Sequence, residues 1–213
     1  MKEKYTGIDI FSPDHIPFYM EAAKNGCVIA IDTETTGLHN HDDIVQLAWV
    51  VMEKGEITRR DYTNIQNLSV SIEGTEAQKI NHLTDAYLMM DGRDPKEVFG
   101  TKFWGMLDSY IGQYGQIVVA GHNLQFDLRM LYHNITRYCG TYAENIIALM
   151  QKGCVGCDTR DFVKVLNLPK AVLPDNTLEN CTSVFALDAA NTHRALDDTI
   201  ACMELFRFLT KEN

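Results

Sequence analysis

No stretch of this chain is apolar for long enough to cross a bilayer. The first residues, Met1-Lys2-Glu3-Lys4-Tyr5, have no apolar signal core behind them. Neither a membrane-spanning helix nor a signal peptide is expected, and a soluble cytoplasmic protein is. Low-complexity tracts and internal repeats are missing too, which excludes a repeat array. Positive charge is scarce: 19 Lys and Arg face 29 Asp and Glu, for a net charge of −10. Proteins that grip long duplexes are usually basic, so tight, extended duplex binding is disfavoured. Six cysteines are present, but a second close pair is not. Cys154-Val155-Gly156-Cys157 has the spacing of half a zinc site, yet Cys139 and Cys181 stand alone and no His lies at finger spacing. Buried thiols in a reducing compartment are the preferred reading.

What is there begins with Asp32-Thr33-Glu34-Thr35-Thr36-Gly37. It follows Cys27-Val28-Ile29-Ala30-Ile31, an apolar run that reads as a buried strand. Alternation along a strand puts Asp32 and Glu34 on one face. Two adjacent carboxylates repel unless a cation lies between them, and an oxygen-only pair suits Mg²⁺ or Mn²⁺. A strand end running into a solvated polar turn is the plainer alternative for these two acids alone.

Two later segments bear on that choice. Gly121-His122-Asn123-Leu124-Gln125-Phe126-Asp127-Leu128 follows the apolar run 117–120 and leads into a helical pattern, so Asp127 falls in the first turn of a helix. There, a carboxylate is favoured by the helix dipole alone. His193-Arg194-Ala195-Leu196-Asp197-Asp198-Thr199 opens the last helix. His193 and Asp198 are five apart, about 140° around a helix, so they converge only if His193 precedes the helix or lies in its first turn. Asn191 or Thr192 is the expected N-cap.

In order and spacing, the three segments resemble the three motifs of the DnaQ-like (DEDD) 3′→5′ exonuclease family, the superfamily of the epsilon proofreading subunit of bacterial DNA polymerase III. The resemblance runs from about Val28 to Leu209. It implies a ribonuclease H-like α/β fold, with a mixed central sheet and helices on both faces. It implies four metal-site carboxylates, Asp32, Glu34, Asp127 and Asp198, holding two divalent ions, Mg²⁺ or Mn²⁺, and His193 as general base. The tyrosine branch carries Tyr four residues before the last acid. Here Arg194 stands there, which places the chain in the histidine branch. Thr35, Gly37, Leu38, Asn123 and Phe126 match substrate-contact positions, with Leu38 as a wedge against the last bases. Many relatives carry His-Gly-Ile-Thr where this chain has Asn81-His82-Leu83-Thr84, so nucleotide contacts there are open.

The implied activity is release of 5′ mononucleotides from the 3′ end of single-stranded or frayed DNA, with a DNA polymerase subunit as a candidate protein partner. An exoribonuclease of ribonuclease T or oligoribonuclease type is the alternative, because the residues do not show how the 2′-hydroxyl is read. A catalytically silent nucleic-acid-binding module is the alternative of another class, disfavoured because all five motif residues are present. Residues 1–26 read as an extension with a helix over 13–25, and 27–213 as the exonuclease domain. The sequence stops about four residues past the last helix, so a long C-terminal tether is not expected. Strands are expected over 28–31, 44–52, 57–65, 117–120 and ending near 157. Helices are expected over 95–110, 124–138, 141–151, 158–166 and 194–209, with two short ones in 76–91 and one reaching 185. Phe99, Phe103, Trp104 and Leu107 read as a core stripe rather than a stacking platform.

Overall fold

A computed structural model describes residues 7–189 and 194–211. A short 3₁₀ turn, Pro13–His15, leads into α1 (Ile16–Asn25). An antiparallel meander follows, β1 (Cys27–Thr35), β2 (Ile44–Glu53) and β3 (Glu56–Asn64). Then come α2 (Glu76–Asn81), α3 (Asp85–Asp91), α4 (Pro95–Glu97), a π-helical segment (Val98–Phe103) and α5 (Trp104–Tyr114). β4 (Ile117–Gly121), α6 (Leu124–Cys139), α7 (Ala143–Gly153), β5 (Cys154–Asp158), α8 (Thr159–Val165), α9 (Leu178–Val184) and α10 (Ala195–Leu209) complete the described chain. The sheet order is β3-β2-β1-β4-β5, with β4 parallel to both β1 and β5. Among the described residues, no helix is long and apolar enough to cross a membrane.

Alternation in the central strands sorts the core into two layers. Ile29, Ile31, Leu47, Trp49 and Val51 face one layer with Phe99, Phe103, Leu107 and Leu131. Val28, Ala30, Val50 and Met52 face the other with Tyr19, Met203 and Phe206. The Phe99–Leu107 stripe is therefore core, as its spacing suggests. Each such side chain, fully buried, contributes about 1.5–3 kcal/mol. The helix expected over 95–110 runs on to Tyr114, where Gly115, at φ +76°, ends it.

Cys154 and Cys157 lie three apart on β5, so they point to opposite layers and cannot share a metal ion. All six thiols are free and buried. Between the two, Gly156 lets the N-terminal segment approach: Gly156 N donates to Asp9 O at 3.1 Å and Asp158 N to Ile10 O at 2.7 Å. A Cβ on Gly156 would stand 2.4 Å from Asp9 O. The segment thereby covers the β5 edge, and Tyr19 OH donates to Gly156 O at 2.7 Å.

Candidate active site

β1 is longer than its apolar run, because β2 pairs with it to the end: Asp32 opposes Ala48, Glu34 opposes Gln46, and a bulge brings Thr35 opposite Ile44. Asp32 and Glu34 continue the Val28–Ala30 row toward α10, whereas Thr33 continues the Ile29–Ile31 row toward α6. A bulge beside such a pair re-aims the strand into its turn. That turn is tight. Asp42 accepts from His39 N at 2.6 Å, and a Cβ on Gly37 would sit 2.6 Å from Asp42 Oδ2, so a side chain there would have to displace that carboxylate. Asp43 anchors the turn from below, accepting from Ser69 N, Val70 N, Arg137 and Tyr138.

Parallel pairing of β1 with β4 ends at Ala30 opposite Ala120. Beyond it, the buried Thr33 N–H has no strand partner on that side. Asp127, in the first turn of α6, takes the vacant place: its Oδ1 accepts from Thr33 N at 3.1 Å and Thr33 Oγ1 at 2.8 Å. Asn123 precedes the helix in the left-handed region, at φ 76°, and its N–H donates to Asp158 Oδ1 at 3.2 Å. His122 ties this corner to the start of α8 through Thr159 Oγ1 at 3.0 Å and to a later loop through Asn176 O at 2.8 Å. Burial pushes its pKa down to about 4, so it is neutral.

α10 brings the fourth carboxylate, Asp198. Asn191, Thr192 and the expected base His193 lie outside the described residues. Among the described residues the N-cap position is Arg194, without a side-chain cap. Gln46 of β2 supplies the missing acceptor instead, with Ala195 N donating to its Oε1 at 3.0 Å. Asp198 is thereby set over the ends of β1 and β2. Carboxylate oxygens of Asp32, Glu34 and Asp198 lie within 4.8 Å of one another. Asp127 stands outside this triad, turned toward Thr33.

Such crowding has an electrostatic signature. Burial, then Asp127 and Asp198, raise the Asp32 pKa well above the carboxylate range. Burial, then Asp32 and Asp198, push Glu34 up to about 8, against a lowering hydrogen bond from Asn81. Burial pushes Asp127 up to about 8, partly offset by Thr33.

The expected substrate contacts fall on two sides. Thr35 is buried, its hydroxyl donating to Gly37 O at 2.6 Å. Leu38 is 70% exposed at the turn tip, and its carbonyl accepts from Arg129 Nη2 at 2.9 Å. Arg129 also lies over the Phe126 ring, 5.3 Å from its centroid. With Asn123 and Gln125 these two residues line a cavity of about 310 Å³. Asn81 reaches the site from α2, donating to Thr35 O at 3.4 Å, and His82 after it adopts φ 59°, a conformation natural for glycine. Sequence reasoning missed Gln46 and Arg129, which lie outside the motifs, and Thr33, which lies inside the first one but acts on Asp127, 94 positions away.

The RNase_T family model, described as an exonuclease, matches residues 29–206. The chain belongs to this DnaQ-like exonuclease family. Its domain is that of a DEDD-type 3′→5′ exonuclease, a hydrolase. The DNA polymerase III subunit epsilon of Treponema pallidum is 27% identical over 184 residues, covering 83% of this exonuclease and 73% of that protein. The PolC-type DNA polymerase III of Thermotoga petrophila is 24% identical over 193 residues, covering 88% of this exonuclease but 12% of that protein. In fold, the exonuclease resembles E. coli exonuclease I in complex with a dT13 oligonucleotide, with TM-score 0.66 at 14% identity over 86% of this chain and 41% of that one. Exonuclease X in complex with 5′ overhanging duplex DNA gives TM-score 0.51 at 17% identity, over 85% and 90%. The five-stranded mixed sheet is the ribonuclease H-like fold.

Proposed function

We propose that this exonuclease releases 5′ mononucleotides one at a time from the 3′ end of single-stranded or frayed DNA, in the cytoplasm, using two Mg²⁺ or Mn²⁺ ions. The observation that carries the reading is the approach of three carboxylates, from β1 and α10, to within 4.8 Å. The donor set fits hard divalent ions: it is all oxygen, and burial with mutual repulsion raises Asp32 well above the carboxylate range and Glu34 to about 8, a penalty that a cation would relieve. Asp32, Glu34 and Asp198 would hold one ion, and Asp127 would share the other with Asp32. When bound, the ions polarise the scissile phosphate and acidify a water.

The chain's own groups do the rest. His193 takes the proton of the attacking water. Thr35, Gly37 and Leu38 of the turn, with Asn123 and Phe126 across from them, hold the terminal nucleotide, and Leu38 separates its base from the next. Residues 27–213 form the nuclease domain, with 1–26 an extension whose Asp9 and Ile10 pair along the β5 edge and whose helix α1 packs on β1, β2 and β4. Similarity to a polymerase III epsilon subunit favours DNA as substrate and a polymerase as protein partner.

The test is side-by-side digestion of matched single-stranded DNA and RNA oligonucleotides with Mg²⁺. Faster loss of DNA from its 3′ end supports the reading. Faster loss of RNA overturns the substrate assignment in favour of an exoribonuclease. No cleavage of either overturns both.

A further inference from the structure

The turn after β1 carries Leu38, yet little within the turn holds its tip. The base is tied internally: Thr36 N donates to Asp43 O at 2.9 Å and Asp43 N to Thr36 Oγ1 at 3.0 Å. Residues 38–41 beyond it are exposed, and Leu38, at 70%, packs little of its side chain against the protein. Among the described residues, the hydrogen bonds that reach this tip from other elements come from two arginines of α6. Arg129 donates to Leu38 O at 2.9 Å and to Asn40 Oδ1 at 3.3 Å, and Arg137 donates to Asn40 O at 3.0 Å.

The two arginines, about two helical turns apart, differ in what else they hold. Arg137 pairs with the buried Asp43 at 2.6 Å, so it belongs to the anchor of the turn. Arg129 has no carboxylate partner among the described residues. Its acceptors are a main-chain carbonyl and an amide oxygen, and its guanidinium lies over the Phe126 ring. Two N–H groups of one rigid planar fork fix the tip in direction as well as in distance, which the single ammonium of a lysine does not do. Arg129 thereby bridges the two sides of the proposed terminal-nucleotide site, the turn of Leu38 and the helix of Phe126.

Stiffness is what a wedge needs. Unpairing and unstacking a 3′ end costs free energy, and an apolar side chain that yields with its loop cannot hold the last bases apart. We infer that Arg129 is the positioning residue that makes Leu38 a wedge, and that it sets how readily this exonuclease opens a paired 3′ end. Its effect passes through the Leu38 carbonyl and the Asn40 side chain, not through contact with the substrate phosphates. This rests on Leu38 separating the last two bases, as proposed above.

The test compares one DNA strand, free or annealed to a complement with a matched blunt 3′ end, by kcat/KM on each with Mg²⁺. Arg129→Gln and Arg129→Lys should each lower the ratio of annealed-end to single-strand cleavage about tenfold, the usual worth of one hydrogen bond to a charged group. Leu38→Ala should lower the same ratio, and Arg129→Gln should lower it no further in that background. A ratio that Arg129→Gln leaves unchanged, even if both rates fall together, would overturn the inference. So would an Arg129→Gln effect that adds in full to that of Leu38→Ala, which would mean direct contact with the substrate. Arg129→Lys with the wild-type ratio would overturn it too, because charge alone would then suffice. If Arg129→Gln does not fold, Arg129→Lys in the two backgrounds decides. A wild-type protein that cuts the free strand but never the annealed end has no wedge, and would overturn the inference as well. Leu38→Ala with the wild-type ratio, or no 3′-end cleavage of either substrate, would instead overturn the reading beneath it.

Discussion

At the scale of single residues, buried like charges define the site. Asp32→Asn or Asp198→Asn removes one of the three crowded carboxylates and should abolish cleavage while the protein stays folded. Relief of repulsion should raise the melting temperature of metal-free protein at pH 8 by a few degrees, roughly 2–4 °C per kcal/mol for a chain of this size. Circular dichroism melts in EDTA check this; a lower melting temperature would contradict it. Thr33 acts through another residue. Its hydroxyl and amide fix Asp127, so Thr33→Val should weaken the second Mn²⁺ site about 10–100-fold by calorimetry, the usual worth of an orienting partner, and Thr33→Ser should restore it. For His193→Ala the expected loss is about 10²–10⁴ in rate, together with loss of the rate's rise through the histidine range. An unchanged pH profile would assign the base elsewhere. The carboxylates were legible because they sit in short motifs at strand and helix ends. Thr33 was not, because its role depends on where parallel pairing stops.

At the scale of elements, alternation and helical spacing gave most of the core, but ends are decided by partners. β1 runs through its acids only because β2 pairs alongside them, which no local pattern signals. The start of α10 shows the same. The Ala195 N–H in its first turn donates to Gln46, 149 positions away in the chain. Gln46→Leu should therefore cost about 1–2 kcal/mol, seen as a melting temperature about 2–8 °C lower, and should slow cleavage by loosening Asp198. Retained stability and rate would mean that α10 is placed by its apolar face alone. Asn81 illustrates a motif departure resolved by geometry: it reaches Thr35 O and lowers the Glu34 pKa, while His82 takes the turn conformation.

At the scale of the whole molecule, the net charge of −10 is compatible with the proposed function, in which binding is concentrated at one strand end rather than along a duplex. The acids also set the response to pH. Glu34 and Asp127 are raised to about 8, so the metal-free folded state holds protons that the unfolded chain releases near pH 4. Their contribution to stability is full below about pH 4 and is lost as pH rises through about 8. Thermal melts in EDTA should fall across that window, and Mn²⁺ should flatten the decline; a rise with pH in EDTA would contradict the account. The central claim, a divalent-metal site that cuts from a free 3′ end, is tested most directly by one digestion. A 5′-labelled single-stranded DNA oligonucleotide is incubated with Mg²⁺ or with excess EDTA, and with the Asp198→Asn protein. The account predicts a descending ladder with Mg²⁺ alone, and none in EDTA or with the variant. Immediate release of the 5′ label as a mononucleotide, or an undiminished ladder in EDTA, would contradict it.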